Sequence, residues 1–159
     1  MNNIDLNNGL TEGFSPGRLI TIVSRYHSYC LGKNLSKYDL SKCEYKCLIQ
    51  IYKNEGICQD YIADILKIDK FRVAKSIKSL MEKGYVYKEK DINDKRKHKV
   101  YPTEKALSIK EAFIDILNYN SDVMVKGFSE EEKEILNNLL VRMTENLYEE
   151  AEKVKNIYK

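Results

Sequence analysis

The sequence predicts a mainly α-helical fold that carries one small β-hairpin. Apolar residues recur at three- and four-residue steps along most of the chain, and this spacing is typical of amphipathic helices. Only after Gly84 does the period change to two, as in half-buried strands. Glycine and proline are scarce, with seven and two residues respectively, so we expect short connections between the elements.

The composition favours a soluble globular domain, since apolar residues make up 43% of the 159 residues and charged residues 32%. A chain of this length can bury a core without disulfides or metal ions. Its apolar runs fall far short of the ~20 residues that a membrane-spanning helix needs, and its first residues lack the pattern of a signal peptide. Four cysteines in such a chain indicate reduced thiols, so we expect a cytoplasmic protein with no membrane partner.

The N-terminal part of the chain is expected to hold an arm and two helices. Residues 1–16 are rich in Asn and Gly without an apolar period, and they predict a flexible arm. The helical period predicts a first helix over residues 17–32. Ser41 and Glu44 have the spacing of a capping box, which opens a second helix that ends near residues 54–56.

Two further helices and two strands follow. A short third helix is predicted over residues 59–66 and a fourth over residues 70–83, where Asp69 is placed to cap the fourth. The alternating pattern predicts strands over residues 85–90 and 98–101.

The C-terminal part of the chain predicts two long helices. The polar, charged residues 91–97 are expected to form the tip of the hairpin. Thr103 can cap a helix that runs to about residue 125, and a second capping box, Ser129 with Glu132, opens a helix that runs to about residue 154.

This order of elements is that of a winged helix-turn-helix, which we assign to residues 37–102. The long helices outside it, residues 17–36 and 103–159, carry apolar stripes that need a partner. We interpret them as dimerisation helices, because two-fold pairing is the simplest way to cover such stripes. An all-helical monomer that packs the stripes internally is the alternative.

The basic side chains are concentrated in one segment. Residues 67–99 carry twelve Lys or Arg and five Asp or Glu, a net charge of +7 within a chain of net charge +3. This asymmetry predicts a surface that binds a polyanion such as a nucleic acid. A lysine-rich solvated face is the alternative.

Four short segments resemble one known family in their order and spacing. They are residues 56–63 before the turn, residues 68–86 with the fourth helix and its closing glycine, Asp94-Lys95-Arg96 in the hairpin tip, and residues 102–105. Over about residues 17–158 the sequence resembles the MarR family of dimeric winged-helix transcription regulators. The resemblance implies a homodimer that binds double-stranded DNA.

The sequence departs from the family pattern at three positions. The family usually has Gly where Ala106 stands, Ser or Thr where Cys58 stands, and a larger apolar residue where Ser76 stands. None of these changes threatens the expected fold, but together they leave the operator sequence and the trigger open.

The fourth helix is expected to present its DNA-contacting side chains opposite a core face. We place Val73, Ile77 and Leu80 in the core, with Ala74 and Met81 beside them. The predicted DNA-binding residues of this helix are Lys70, Phe71, Arg72, Lys75, Ser76 and Lys78. Arg72 and Lys75 can donate to guanine edges, whereas Lys78 is placed to touch phosphate. Phe71 either packs on thymine methyl groups or folds back onto its own domain.

The hairpin tip supplies the second part of the predicted DNA-binding surface. Arg96 is suited to the narrow minor groove of A·T-rich DNA, because a guanidinium loses its water more readily than an ammonium. Asp94 can hold this guanidinium in an ion pair, the role that the family resemblance implies for the two residues. Lys95 and Lys97 are expected to add phosphate contacts.

Two trigger hypotheses follow, one of them from the resemblance. The family tends to bind phenolic or other aromatic effectors near the junction of the dimerisation helices and the DNA-binding lobe. A pocket there would involve Tyr26, Tyr29, Tyr45 and Tyr52, although tyrosines at helical spacing also serve simple packing. Alternatively, Cys58 and Cys43 lie near predicted helix N-termini, where a thiol becomes more reactive, and Cys58 can instead be an inert substitute for a capping serine.

No enzyme, cofactor or metal site is expected. The sequence has no Gly-rich phosphate loop and no Ser-His-Asp or Cys-His arrangement in a plausible context. Cys43 and Cys47 would give only two metal ligands, whereas a metal site needs three or four. We therefore expect a DNA-binding transcription regulator, a repressor that a small molecule releases. The alternatives are a thiol-responsive regulator and a winged helix that binds protein without DNA.

Overall fold

The computed structural model describes residues 15–91 and 98–157, apart from the side chains of residues 155–157, and it confirms the predicted fold class. The described helices are α1 (Pro16–Leu35), α2 (Lys42–Lys53), α3 (Gln59–Leu66), α4 (Lys70–Glu82), α5 (Glu104–Met124) and α6 (Glu130–Ile157). The described strands are β1 (Ile57–Cys58), β2 (Val86–Lys90) and β3 (His98–Pro102), and a 3₁₀ turn covers Ser36–Tyr38. The described residues form two compact units, one up to residue 120 and the other from residue 121 onward.

The predicted helix caps are present. The backbone N–H of Ser41 donates to Glu44 Oε2 over 2.6 Å, and the N–H of Glu44 donates to Ser41 Oγ over 3.4 Å. Ser129 and Glu132 form the same reciprocal pair over 2.7 and 3.2 Å. These contacts satisfy N–H groups that have no partner inside the helix, and they explain why the predicted starts of α2 and α6 are confirmed.

The small sheet has one more strand than the sequence predicted. Within the described residues it is antiparallel with the order β1-β3-β2, so β3 lies in the middle. Ile57 pairs with Val100 and Cys58 with Lys99. The prediction of a two-stranded hairpin was incomplete because a strand of two residues is too short to show an alternating pattern.

The core of the first unit is built around α4. Val73, Ile77 and Leu80 are fully buried, as predicted, and they belong to one cluster with side chains from the neighbouring helices and strands. The fully buried members from these elements include Leu31, Leu48, Ile51, Ile62, Val100 and Phe113. The prediction was wrong for two neighbours, since Ala74 is exposed and Met81 is 40% exposed.

The connection between α3 and α4 is tight because Lys67 adopts a left-handed conformation with φ of 51°. The backbone N–H of Ile68 then donates to the carbonyl of Ala63 over 3.2 Å and closes α3. Asp69 begins α4 by accepting from the N–H groups of Phe71 and Arg72 over 2.9 and 3.2 Å. The left-handed Lys67 ends α3, and the Asp69 cap begins α4 only two residues later.

The long helices expose apolar side chains. On α1 these include Ile20 and Val23, and on α6, none of whose described side chains is buried, they are Ile135, Leu139, Leu140, Val141, Leu147 and Val154. Such stripes on a single chain indicate faces that another surface covers. Across the described ranges, no helix combines the length and the apolar character that a bilayer crossing requires.

Candidate nucleic-acid interface

The exposed face of α4 presents one aromatic and several basic side chains. Phe71 is 76% exposed, so it does not fold back onto its own domain. Arg72 and Lys75 are exposed too, and neither forms an ion pair with any residue that the structure describes. The first two turns of α4 therefore present two cations and an apolar ring to an incoming ligand.

Two of the predicted lysines on α4 already have acidic neighbours. The Lys70 ammonium lies 3.1 Å from Asp60 Oδ1 on α3, and this hydrogen bond raises the pKa of Lys70. The Lys78 ammonium lies 3.8 Å from Glu82 Oε1 on the next turn. All four side chains are well exposed, so these pairs are weak and easily exchanged for a polyanion.

Ser76 does not belong to this face, which corrects the prediction. The residue is only 7% exposed and lies on the same side of α4 as Val73, Ile77 and Leu80. Residues 73, 76, 77 and 80 share one helical face by their spacing, and this spacing was the signal that could have identified Ser76 as buried. The small side chain fits where the family usually has a larger apolar residue.

The hairpin-tip residues Asp94, Lys95, Arg96 and Lys97 lie outside the described residues. At the base of the hairpin, the Lys99 ammonium lies 3.6 Å from Asp91 Oδ2. Lys88 points inward, since its ammonium donates to Gln59 Oε1 over 2.9 Å and burial lowers its pKa. Among the basic residues of β2, Lys90 is thus the exposed one and Lys88 serves to join β2 to the start of α3.

The four tyrosines that predicted an effector pocket lie in different environments. Tyr45 is buried, and the Tyr52 hydroxyl donates to the carbonyl of Ala106 over 2.6 Å. Tyr26 and Tyr29 are 57% and 65% exposed on α1. The reason is geometric, because the α2 tyrosines pack inward whereas the α1 tyrosines face away from the core.

A different concave surface lies between α1, the 3₁₀ turn and α5. This cleft has a volume of about 650 Å³. Its lining residues are Lys33, Asn34, Ser36, Lys37, Asp115, Ile116 and Tyr119. Two ammonium groups, the Asp115 carboxylate and a phenol ring border this cleft beside the apolar side chain of Ile116.

The thiols differ in their environments. Cys58 is the N-cap residue of α3, as predicted, but its side chain makes no capping hydrogen bond. Cys47 is fully buried, and burial together with its neighbour Cys43 raises its pKa to about 12. Cys43 is half-buried and Cys30 is exposed. Over residues 15–91 and 98–154, no three His, Cys, Asp or Glu side chains come together in a way that could hold a metal ion.

Comparison with known proteins adds independent information. The family model of the MarR family matches residues 40–98, the segment that runs from the approach to α2 to the start of β3. The chain is 34% identical over 117 residues to the uncharacterized HTH-type transcriptional regulator YybA of Bacillus subtilis (strain 168). This alignment covers 74% of the chain and 78% of that protein.

Solved structures agree in fold over nearly the whole chain. A MarR family transcriptional regulator from Listeria monocytogenes, complexed with 26mer DNA, is 29% identical with a TM-score of 0.83, covering 91% of this chain and 96% of that one. A MarR protein from Peptoclostridium difficile DA00132 is 29% identical with a TM-score of 0.82, covering 97% and 95%. The fold, the order of the elements and these relatives together mean that the chain belongs to the MarR family of transcriptional regulators.

Proposed function

We propose that this transcriptional regulator binds double-stranded DNA as a cytoplasmic homodimer and represses transcription until a small aromatic effector releases it. The observation that carries the proposal is the exposed face of α4, where Phe71, Arg72 and Lys75 lie in the first two turns of a helix that follows a helix-turn-helix corner. The related Listeria protein, which forms a complex with 26mer DNA, supports the same reading.

On this proposal α4 enters the major groove. Arg72 and Lys75 donate to guanine edges, and Lys78 touches phosphate once it exchanges its partner Glu82. Phe71 packs on a thymine methyl group, which gives a reason for an aromatic ring that is 76% exposed in the free chain. Lys70 reaches phosphate by leaving Asp60.

The hairpin reaches the neighbouring minor groove on the same proposal. Arg96 inserts there, Asp94 orients it through an ion pair, and Lys95 and Lys97 contact phosphates. Arg96→Ala is then expected to weaken binding about equally on all sequences, because the minor groove carries a degenerate pattern.

Dimerisation through the helices of residues 17–36 and 103–159 covers the apolar faces of α1 and α6. A two-fold dimer presents two α4 helices to one duplex, so the operator is expected to be a pseudo-palindrome with half-sites about one helical turn apart. The cleft beside Lys33 and Lys37 is the effector site that we propose in place of the four tyrosines, and its occupation changes the separation of the two α4 helices.

Duplex binding across a range of salt concentrations tests the proposal. DNA selected from genomic fragments is expected to bind with a steep inverse dependence on salt. Arg72→Ala should lower the affinity by about 1–3 kcal/mol and relax the preference at one base position. Lys126→Ala removes an exposed charge outside the basic segment and should leave the affinity unchanged.

Either of two outcomes would contradict DNA binding. If no duplex binds at low salt, or if Arg72→Ala and Lys126→Ala bind alike, the basic face serves another purpose, and a winged helix that docks a protein is the surviving interpretation.

The dimer has its own test. Leu147 is 69% exposed on the apolar face of α6, and Leu147→Glu should shift the protein to a monomer in sedimentation equilibrium. The matched control is Asn146→Glu, which adds the same charge at the adjacent exposed position and should leave the dimer intact. A wild-type protein that sediments as a monomer contradicts this part of the proposal.

A further inference from the structure

A single lysine ties the C-terminal end of α4 to the segment that precedes α2. Lys83 is the C-cap residue of α4, and its ammonium lies 3.1 Å from Glu44 Oε2 and 3.4 Å from Asp39 Oδ2. It also donates to the carbonyl of Asp39. The Glu44 side chain is only 5% exposed and that of Lys83 26%, so this is a largely buried ion pair that links α4 to α2 and to Asp39.

Glu44 is held in its charged form. Burial alone would raise the pKa of this carboxyl, but hydrogen bonds from Ser79, Ser41 and Lys83 outweigh burial and keep its pKa below the usual value. A buried carboxylate that loses its cation is strongly destabilising, so the side chain of Lys83 is confined to this position.

The same end of α4 is held from a third direction. Lys105, in the first turn of α5, donates from its ammonium to the carbonyl of Lys83 over 2.6 Å. Thr103 Oγ1 donates to the carbonyl of Gly84 over 2.7 Å. Side chains from α5 and from the residues before it thus contact the C-terminal end of α4, whereas Phe71, Arg72 and Lys75 near its N-terminus are exposed.

The segment that Lys83 contacts lies next to the cleft between α1, the 3₁₀ turn and α5. Ser36 and Lys37 line the cleft, and the next two residues contact the end of α4. The carbonyl of Tyr38 accepts from the Tyr85 hydroxyl over 3.0 Å, and Asp39 holds Lys83. One short segment of the chain therefore lines the cleft with its first residues and contacts the end of α4 with its last.

We propose that Lys83 is a positioning residue, which sets the direction of α4 and couples it to the 3₁₀ turn through Asp39 and Glu44. This inference rests on the proposed DNA binding. Arg72 lies about 16 Å from Lys83 along the helix, so a tilt of about 5° at Lys83 moves Arg72 by about 1.4 Å. A shift of that size is enough to break a hydrogen bond to a base edge.

Two kinds of variant separate positioning from simple stability. Lys83→Met combined with Glu44→Gln removes both buried charges together and keeps the capping box, which accepts glutamine. Asp39→Asn removes only the ion pair between Lys83 and Asp39 Oδ2 and leaves the hydrogen bond from Lys83 to the Asp39 carbonyl. The Asp39 side chain is 89% exposed, and asparagine tolerates the left-handed φ of 52° at this position. Lys83→Arg, which keeps the charge, is the conservative control.

The double variant is expected to melt near the wild-type temperature yet to bind duplex DNA about tenfold more weakly. The dependence of its affinity on salt should stay unchanged, because no phosphate contact is lost. The Lys83→Arg variant, in which Glu44 is unchanged, should keep most of the wild-type affinity for duplex DNA. Wild-type affinity in the double variant overturns the inference, and so does a salt slope that falls by about one, which would mean that Lys83 touches phosphate itself.

A measurement without DNA keeps the inference separate from the proposed function. In the free protein, the backbone amide resonances of Phe71 and Arg72 should shift in Asp39→Asn and in the double variant but not in Lys126→Ala. Should the double variant fail to fold, Asp39→Asn decides. If the wild-type protein binds no duplex, the proposed function fails, while unchanged amide resonances in the variants would show that Lys83 positions nothing.

Discussion

At the scale of single residues, the four cysteines are chemically distinct. Alkylation of the native protein at pH 8 should modify the exposed Cys30 first and Cys47 last, because the Cys47 thiol is buried and its pKa is raised to about 12. Peptide mass spectrometry identifies the order in which the four cysteines are alkylated. Early modification of Cys47 would contradict the buried position of this thiol.

The same experiment tests the thiol-responsive alternative. If Cys58 or Cys43 is a sensor near DNA, adding the selected duplex should slow its alkylation, and its modification should weaken binding. Equal, slow labelling of both residues with and without duplex removes that alternative and leaves the aromatic effector.

Gly56 illustrates a constraint that only the folded chain reveals. Its φ is +76°, and an added Cβ would lie 2.9 Å from the hydroxyl oxygen of Tyr101. The Tyr101 ring stacks on Tyr87 at 5.5 Å, so it has little freedom to move aside. Gly56→Ala is expected to destabilise the protein by more than the ~1–2 kcal/mol that a left-handed alanine costs.

Gly84→Ala is the matched control for that substitution. Its φ of +74° is nearly the same, but an added Cβ would find its nearest neighbour, Lys105 Cδ, at an ordinary 3.9 Å. Chemical denaturation of both variants isolates the clash, and equal losses in the free energy of unfolding would mean that the ring yields without cost.

Residue-level expectations from the sequence succeeded where spacing alone decides burial. Val73, Ile77 and Leu80 are in the core because they share one helical face. Ser76 lies on that face as well, but its polar character led us to predict that it lies on the DNA-binding face of the helix. The tyrosines show the same limit, since their type does not distinguish a buried ring such as Tyr45 from an exposed one.

At the scale of elements, the N-cap of α4 is the local feature with the most direct bearing on the interface. Asp69→Ala should reduce the free energy of unfolding by about 1 kcal/mol, because two N–H groups lose their acceptor. Asp69→Asn keeps an acceptor and should cost much less. Urea denaturation followed by circular dichroism compares them, and equal losses would contradict a capping role.

Elements with strong local signals were predicted to within a few residues, and those without were missed. The capping residues of α2 and α6 fixed their starts, and the predicted bounds of α3 agree with the structure. By contrast, β1 and the 3₁₀ turn are each three residues or shorter and depend on tertiary contacts, such as the pairing of Ile57 with Val100. Short elements of this kind have no sequence period to detect.

At the scale of the whole molecule, several buried acidic groups tie stability to pH. Burial raises the pKa of Cys47 from 9.0 to about 12, and it raises the pKa of Tyr45 and Tyr85 as well. The fold favours the neutral form of each group. Its contribution to the free energy of unfolding is therefore fully present below the pKa of the group in the unfolded chain, and it is lost as the pH rises towards the pKa of the group in the folded protein.

The thermal midpoint is therefore expected to fall as the pH rises from about 9 to about 12. Cys47→Ala should lower the midpoint at pH 7 by leaving a small cavity, but its decline with pH should be shallower. Differential scanning calorimetry over this range gives both quantities. Parallel curves for the two proteins would mean that the Cys47 thiol does not contribute.

Because β3 lies in the middle of the sheet, it couples the helical part of the proposed DNA interface to the hairpin part. β3 is hydrogen-bonded on one side to β1, which leads into α3, and on the other to β2, which follows α4. A substitution in β2 or β3 and a substitution in α3 or α4 thus affect parts of the structure that are joined through β3. In a double-mutant cycle on DNA association their effects should not add, and compensating changes during the evolution of this chain are expected to arise in pairs across the two parts.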